Sequence, residues 1–325
     1  MKSTLLFVTI IALAIFLTGC SSTTTVGKTF IGGTDGLTSS FLTGSPPDTT
    51  TDGGTGGFGI VVKLDNSGEN DIKASDGYVQ IWGLDGKTYN SNLPDFKKTF
   101  NQQSGFGDTL RGAVKNFDGS VLNGGTATVD FGDLKYLPTI QGDLQQKIWA
   151  NICYKYTTKM AAQLCVKNTA EQALSSTDIC TVEGEKNPQN SGAPIQITSL
   201  KESYAGNNKM GITLTIAHVG KGDAFFKDDQ LNCNDVESNA DKGKVHVNFD
   251  NIQIAGRSVP VVCQGVDNGY VRLFKDSSGK ETTTVYCTVD TTGVSTVVEV
   301  PIQAELSYVY LQHISQDITI RHISK

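Results

Sequence analysis

The 325-residue sequence has few charged residues, little proline and no long segment with helical periodicity. Charged side chains make up 18% of the chain, proline occurs 8 times, and the formal net charge is −6. A nucleic-acid-binding surface needs a basic patch to neutralise phosphates, so this charge balance argues against a nucleic-acid partner. The missing helical periodicity argues against the two α/β lobes that are usual in solute-binding proteins.

Motifs of catalysis and metal binding are also missing. The chain has no Gly-x-Ser-x-Gly sequence to position a nucleophile and no Cys-x-x-Cys pair, and its four histidines are scattered. A nucleophile needs a base within hydrogen-bond reach, and a metal needs clustered ligands. The sequence therefore predicts a protein that is not an enzyme and has no cofactor.

The N-terminus carries one short apolar run. It covers residues 5–16 and leads into Leu17-Thr-Gly-Cys20. The run is shorter than the roughly 20 apolar residues of a membrane span and is typical of a signal peptide. The four residues after it resemble a lipobox, where diacylglycerol is attached to the cysteine thiol. We therefore expect a signal peptide over 1–19 and an extracytoplasmic protein anchored to the membrane through lipidated Cys20.

Strand alternation begins after a segment rich in Ser, Thr and Gly. Residues 20–35 are expected to form the lipidated cysteine and a flexible tether. Further along, Ile60, Val62 and Leu64 share one face of a strand. Many short strands at about ten-residue spacing, separated by Gly, Asn and Asp turns, predict an all-β chain of β-sandwiches.

An internal repeat predicts the domain organisation. Residues 59–71 match 211–223, and residues 150–156 match 304–310, so the two offsets of 152 and 154 are nearly equal. Two blocks at one spacing indicate a duplicated unit. We expect two tandem immunoglobulin-like β-sandwich domains, over 36–168 and 193–325, with a linker over 169–192.

Six cysteines remain besides the lipidated one, and an even number outside the cytoplasm indicates disulfides. The candidates are Cys153, Cys165, Cys180, Cys233, Cys263 and Cys287. Strands are predicted over 147–156 and 162–167, with a turn near Thr158. Cys153 and Cys165 flank this turn, and the other repeat has small hydroxyl residues at both positions. The sequence therefore predicts a cross-strand Cys153–Cys165 disulfide.

The other four cysteines leave three pairings open. Cys263–Cys287 together with Cys180–Cys233 is favoured, because both bonds would close loops within or onto the second domain. The matching strands of the second domain are predicted over 298–310 and 317–322.

Three carboxylates crowd the turn after the strand at residues 60–64. Asp65, Glu69 and Asp71 could supply oxygen ligands to Ca²⁺. The spacing is not that of an EF-hand, and the matching loop of the other repeat has lost most of its acids. A solvated turn is the favoured interpretation, and a calcium site is the alternative.

Four tyrosines occupy corresponding positions of the two repeats. Tyr154 and Tyr156, like Tyr308 and Tyr310, share a face with aliphatic residues, so core packing is predicted and a contact surface is the alternative. Trp149 lies on the opposite face of its strand. It is either exposed or covered by a loop.

Several stretches resemble a set of uncharacterised archaeal cell-surface proteins with tandem immunoglobulin-like domains. They are Phe30-Ile-Gly-Gly-Thr-Asp-Gly-Leu, Ser45-Pro-Pro, Val62-Lys-Leu-Asp-Asn-Ser-Gly-Glu, Cys153-Tyr-Lys-Tyr-Thr-Thr with Cys165, and Gly192-Ala-Pro-Ile-Gln-Ile-Thr. The pattern is also similar to the CARDB type of adhesion-associated sandwich. This resemblance spans residues 30–325 and implies a surface location and a β-sandwich fold, without an activity.

These observations predict a lipid-anchored cell-surface protein with a structural, adhesive or protein-interaction role. Its expected partners are the membrane, through the lipid, and other envelope proteins or polysaccharide. The alternative is a solute- or glycan-binding lipoprotein, which an exposed aromatic groove with convergent polar groups would favour. A hydrolase is the third candidate, and a buried His–carboxylate pair beside a Ser or Cys would support it.

Overall fold

The fold is all-β, as the sequence predicts. The computed structural model describes residues 28–90, 96–102, 106–167, 180–206, 208–225, 231, 233 and 241–324. These residues form 24 strands and two short 3₁₀-helices, Ala74–Asp76 and Phe100–Gln102, and contain no α-helix.

The strands vary from two residues to 24. In chain order they are β1 Leu37–Phe41, β2 Thr49–Thr51, β3 Gly57–Asn66, β4 Ile72–Lys73, β5 Gly77–Trp82, β6 Lys97–Thr99, β7 Thr109–Leu110, β8 Val114–Lys115, β9 Val121–Leu122, β10 Thr126–Lys135, β11 Leu144–Val166, β12 Gly184–Glu185, β13 Gln189–Asn190, β14 Ile195–Tyr204, β15 Lys209–His218, β16 Asp223–Phe225, β17 Lys244–Phe249, β18 Ile252–Ile254, β19 Arg257–Val259, β20 Val262–Gln264, β21 Tyr270–Arg272, β22 Phe274–Lys275, β23 Glu281–Asp290 and β24 Val298–Arg321.

A nine-stranded sheet runs through the molecule. Its strand order is β21-β17-β24-β11-β5-β6, with β13 on the edge of β11 and with β2 and β16 on the edge of β24. A first outer sheet has the order β1-β3-β10, and a second has the order β12-β14-β15-β23-β20. We call the strands around the first outer sheet the first half and those around the second the second half.

The two longest strands pair along their whole length. β11 and β24 are antiparallel from Leu144 opposite Ile320 to Val166 opposite Val298, and paired residue numbers always sum to 464. The repeat offset of 154 aligns residues 144–166 of the first repeat with residues 298–320 of the second. β11 and β24 are therefore equivalent strands of the two repeats, and they also pair with each other. This arrangement relates the two halves by an approximate two-fold axis at the Lys155–Val309 pair.

The predicted turn near Thr158 is wrong, and so is the division of each long strand into two. Thr158 is fully buried within β11; its Oγ1 donates to the Ile195 carbonyl at 2.6 Å and is 2.9 Å from the Tyr308 hydroxyl. Because these partners satisfy the hydroxyl inside the core, the alternation of buried and outward residues continues through it. Thr158, whose polar side chain is typical of a turn, is therefore part of the buried face of β11.

The core extends across both halves. On β11 the even-numbered side chains from Ile148 to Val166 are buried, and one continuous apolar cluster includes residues of both outer sheets. Because β11 and β24 are antiparallel, the C-terminal end of β24 pairs with the start of β11 and so belongs to the first half. The predicted units 36–168 and 193–325 therefore share one sheet and one core.

Four tyrosines meet at the two-fold axis. Tyr154 lies opposite Tyr310 and Tyr156 lies opposite Tyr308, with ring centroids 5.9 and 6.3 Å apart. All four side chains are buried, which confirms the prediction of core packing. Burial raises the pKa of each hydroxyl above its ordinary value.

Candidate functional site

The predicted lipid anchor lies outside the described residues. The signal peptide over 1–19 and Cys20 belong to that part, so lipidation stays a prediction. No helix among the described residues is long and apolar enough to cross a bilayer. Residues 28–35 of the predicted tether are bonded to the folded chain. The Gly33 carbonyl, for example, accepts hydrogen bonds from the Ala193 amide and the Gln196 side chain.

All six candidate cysteines form disulfides. The pairs are Cys153–Cys233, Cys165–Cys180 and Cys263–Cys287. The Cys263–Cys287 prediction is confirmed, whereas Cys153–Cys165 and Cys180–Cys233 are wrong. Because β11 is one strand, Cys153 and Cys165 are separated by twelve residues at about 3.3 Å each, or about 40 Å.

The Cys153–Cys233 disulfide holds Cys233 against the outer face of the long sheet. Cys233 lies over Tyr78 and Phe225, and its amide donates to the Tyr78 hydroxyl at 3.2 Å. Val309 and Leu311 complete this second apolar cluster. Within the described residues, the part of the outer face around Cys153 is therefore buried.

The three carboxylates of the calcium candidate bind protein donors. Asp65 pairs with Lys63 at 2.9 Å and accepts a hydrogen bond from the Thr126 hydroxyl at 2.6 Å. Asp71 accepts the Gly112 amide at 2.8 Å. Within the part of the chain that the structure describes, no three His, Cys, Asp or Glu side chains form a group that could hold a metal ion.

Glu69 joins the start of the described chain to the second half. Its carboxylate accepts the amides of Ile31 and Gly32 at 2.9 Å each, and that of Gly192 at 2.8 Å. Charge-assisted bonds of this kind are strong because each amide meets a full negative charge. The structure thus shows Glu69 holding backbone segments together.

One half-buried histidine, His218, lies between a carboxylate and a phenol. His218 Nδ1 is 2.9 Å from Glu281 Oε2, and His218 Nε2 is 2.9 Å from the Tyr310 hydroxyl, which also accepts the Gly222 amide. The carboxylate and imidazole match two members of a nucleophile triad. The third group here is the buried Tyr310, whose hydroxyl pKa is raised by burial. A hydrolase would instead need a serine or cysteine at this position.

Glu202 is a buried carboxyl group beside the Cys165–Cys180 disulfide. Its Oε2 accepts the Cys165 amide at 2.9 Å and pairs with Lys186 at 3.0 Å, whereas its Oε1 is buried without a hydrogen-bond partner. Desolvation raises the pKa of Glu202 to about 7, against the opposing effects of the amide and of Lys186 and Lys167.

Two tryptophans lie next to each other on the exposed margin of the outer face. Trp149 of β11 is directly opposite Trp82 of β5, and the two side chains are 42% and 48% exposed. The Trp149 ring lies against Gly83, where a Cβ would be 3.3 Å from the ring and 2.4 Å from a backbone oxygen. Trp149 is thus exposed, and Gly83 allows its ring to lie close to the backbone.

Polar side chains follow the tryptophans along the same face. Asn151 lies two residues along β11 from Trp149, and its Oδ1 is 2.9 Å from His313 Nδ1. His313 Nε2 is 3.9 Å from Asp223, and bonding to His313 and Lys242 holds the pKa of Asp223 well below its usual range. We call Trp82, Trp149, Asn151 and His313 the tryptophan face.

A cleft of about 260 Å³ adjoins the tryptophan face at the edge of β24. It is lined by Asp35, Thr38, Ser39, Lys221, Gly222, Gln312, His313 and Ile314. Gln312 donates to the Leu37 carbonyl at 2.7 Å and so connects β24 to β1 across the cleft. We call this the β24 cleft.

Comparisons with known proteins do not assign a function. No family model matches the chain, and no curated protein matches it. Among solved structures, the chain is similar to a serine-rich repeat adhesion glycoprotein from Streptococcus agalactiae, with 7% identity, 89% of this chain and 96% of that chain covered, and a TM-score of 0.16. A TM-score this low carries no argument about the present chain.

Proposed function

We propose that this is a lipid-anchored, extracytoplasmic contact protein with a structural or adhesive role and no enzymatic activity. The observation that supports the proposal is the exposed Trp82–Trp149 pair on a disulfide-linked sheet. Large exposed aromatic side chains are enriched at binding hot spots. If a partner buries on the order of 200 Å² of the two rings, the gross gain is about 5 kcal/mol at 25 cal/mol per Å².

The contact function is tested by removing both rings. Full-length protein in detergent should bind an immobilised envelope fraction, and the double variant Trp82→Ala/Trp149→Ala should lose at least tenfold in affinity. Phe117→Ala is the matched control, because Phe117 is an exposed aromatic residue outside the tryptophan face. Equal binding by the double variant and the control would contradict the proposal.

Lipid anchoring is tested separately at the cysteine. Cells given an alkyne-labelled fatty acid should label the wild-type protein, and Cys20→Ser should lose the label and leave the membrane fraction. An unlabelled wild-type protein would remove the anchor from the proposal and leave the tryptophan contact intact.

Glycan binding is the second candidate, and the polar groups beside the rings favour it. Aromatic rings stack on sugar faces, and Asn151 and His313 lie next to the pair, where they could bond hydroxyl groups. Treating the envelope fraction with periodate or with protease before the binding assay separates the two candidates. Loss of binding after periodate favours a glycan, and loss after protease favours a protein partner.

A further inference from the structure

The outer edge of β24 is paired at both ends and open in the middle. β17 and β16 pair with it up to Leu311, and β2 pairs with it from Thr319. Among the described residues, no strand pairs with the edge between these two positions. The open stretch borders the β24 cleft.

The odd-numbered residues of the open stretch direct their backbone amides and carbonyls away from β11. The Gln303 carbonyl accepts the Asp250 amide, and the Thr319 amide donates to the Asp48 carbonyl, so both of these odd-numbered residues present backbone groups outward. Alternate residues of an antiparallel strand point the same way, and the register is unbroken. His313, Ser315 and Asp317 therefore also present outward amides and carbonyls, for which the described chain supplies no partner.

The equivalent edge in the second half, related by the approximate two-fold axis, is paired with another segment of the chain. The offset of 154 carries His313 and Ser315 onto Lys159 and Ala161 of β11. There the Lys159 carbonyl accepts the Ser191 amide at 2.8 Å, and Ala161 pairs with Gln189 of β13. The second half thus has an antiparallel strand at the position where the first half has a cleft.

We propose that an extended polypeptide strand of another protein binds antiparallel to β24 across His313, Ser315 and Asp317. Successive outward groups on β24 are about 6.8 Å apart, which is the spacing of alternate residues on a partner strand. The proposal rests on the proposed contact function and names the class of partner. It does not depend on the tryptophans or on the lipid.

The charged residues that line the β24 cleft indicate which side chains the partner strand carries. Asp35 and Lys221 are exposed, and neither forms an ion pair with another described residue. Thr38, Ser39 and Gln312 make the remaining wall polar. The fitting strand therefore carries a basic residue toward Asp35 and an acidic residue toward Lys221, between residues of mixed polarity.

The test uses linear 12-residue peptides displayed on phage and selected on the full-length protein. The selected peptides, once synthesised, should slow hydrogen exchange at the amides of His313, Ser315 and Asp317. Ser315→Pro should weaken their binding at least tenfold, because proline removes one outward amide and leaves the bonds to β11. Ser315→Ala, which keeps the amide, should bind as the wild type does.

Equal peptide binding by Ser315→Pro and Ser315→Ala would overturn the proposal, as would a selection in which no peptide protects these amides. If Ser315→Pro does not fold, N-methylation of alternate peptide residues replaces it: one alternation should abolish binding and the other should preserve it. Envelope binding that needs the tryptophans but is unchanged in Ser315→Pro would refute strand addition and leave the proposed contact function standing.

Discussion

Replacement of Glu202 by glutamine should remove most of the pH dependence of stability between pH 4.5 and 8. The pKa of this buried carboxyl group is about 7 in the folded chain and 4.5 in its ordinary state. Because the folded state binds the proton more tightly, the stabilisation is complete below pH 4.5 and is lost as the pH rises through 7. At about 1.4 kcal/mol per pH unit, the loss is about 3 kcal/mol.

Urea unfolding with intact disulfides at pH 4.5, 6 and 8 measures this loss. The wild type should become less stable by about 3 kcal/mol across the range, and Glu202→Gln by less than about 1 kcal/mol. Glu299→Gln is the control, since Glu299 is exposed opposite Cys165 on β24. Carboxylates with a lowered pKa, such as Asp52 at about 2, titrate below this window. An unchanged pH dependence in Glu202→Gln would refute the assignment.

Three further predictions concern stability, and each is measured by urea unfolding. Replacing both cysteines of Cys153–Cys233 by serine should cost about 4.5 kcal/mol, because its loop spans 80 residues, whereas the loops of 15 and 24 residues should cost about 3 and about 3.5 kcal/mol; equal costs would contradict the loop-entropy argument. Tyr310→Phe should cost about 1–3 kcal/mol because the half-buried Gly222 amide and the His218 imidazole lose their shared hydroxyl; an unchanged midpoint would show that neither bond matters. Gly124→Ala should cost about 2 kcal/mol or more, since the added Cβ would lie 1.9 Å from the Asn66 carbonyl oxygen, and a stable variant would place that backbone elsewhere.

Much of the fold is predictable from the sequence because strand alternation is a local property. Ile60, Val62 and Leu64 are alternate residues and so lie on one face of a strand, and all three are buried in the structure. The repeat offset is also readable from the chain, and it carries β3 onto β15 and residues 144–166 onto 298–320. These features need no knowledge of distant contacts.

The errors come from residues whose environment depends on distant partners. Thr158 looks like a turn residue, and only the Ile195 carbonyl and the Tyr308 hydroxyl make it a core residue. The wrong prediction of a Cys153–Cys165 disulfide depends on that turn. A sequence pattern cannot supply these partners because they come from the second half of the chain.

Local sequence patterns do not reveal the candidate site for the same reason. Trp149 could be placed on an outer face, but its neighbour Trp82 follows from the register between β5 and β11. Glu202 is one glutamate among many until the fold buries it beside Cys165. The open edge of β24 is defined by where three other strands begin and end, which no local pattern records.

The pairing of β11 with β24 also sets the order in which the chain can fold. Val166 and Val298 are separated by 131 residues, which at about 5–20 residues per second take roughly 7 to 26 s to synthesise. During that time β11 lacks its longest partner, and Tyr154 and Tyr156 lack the tyrosines of β24 that pack against them. The shared core cannot be completed until β24 has been made, so a chain that stops before β24 leaves the long edge of β11 without its partner.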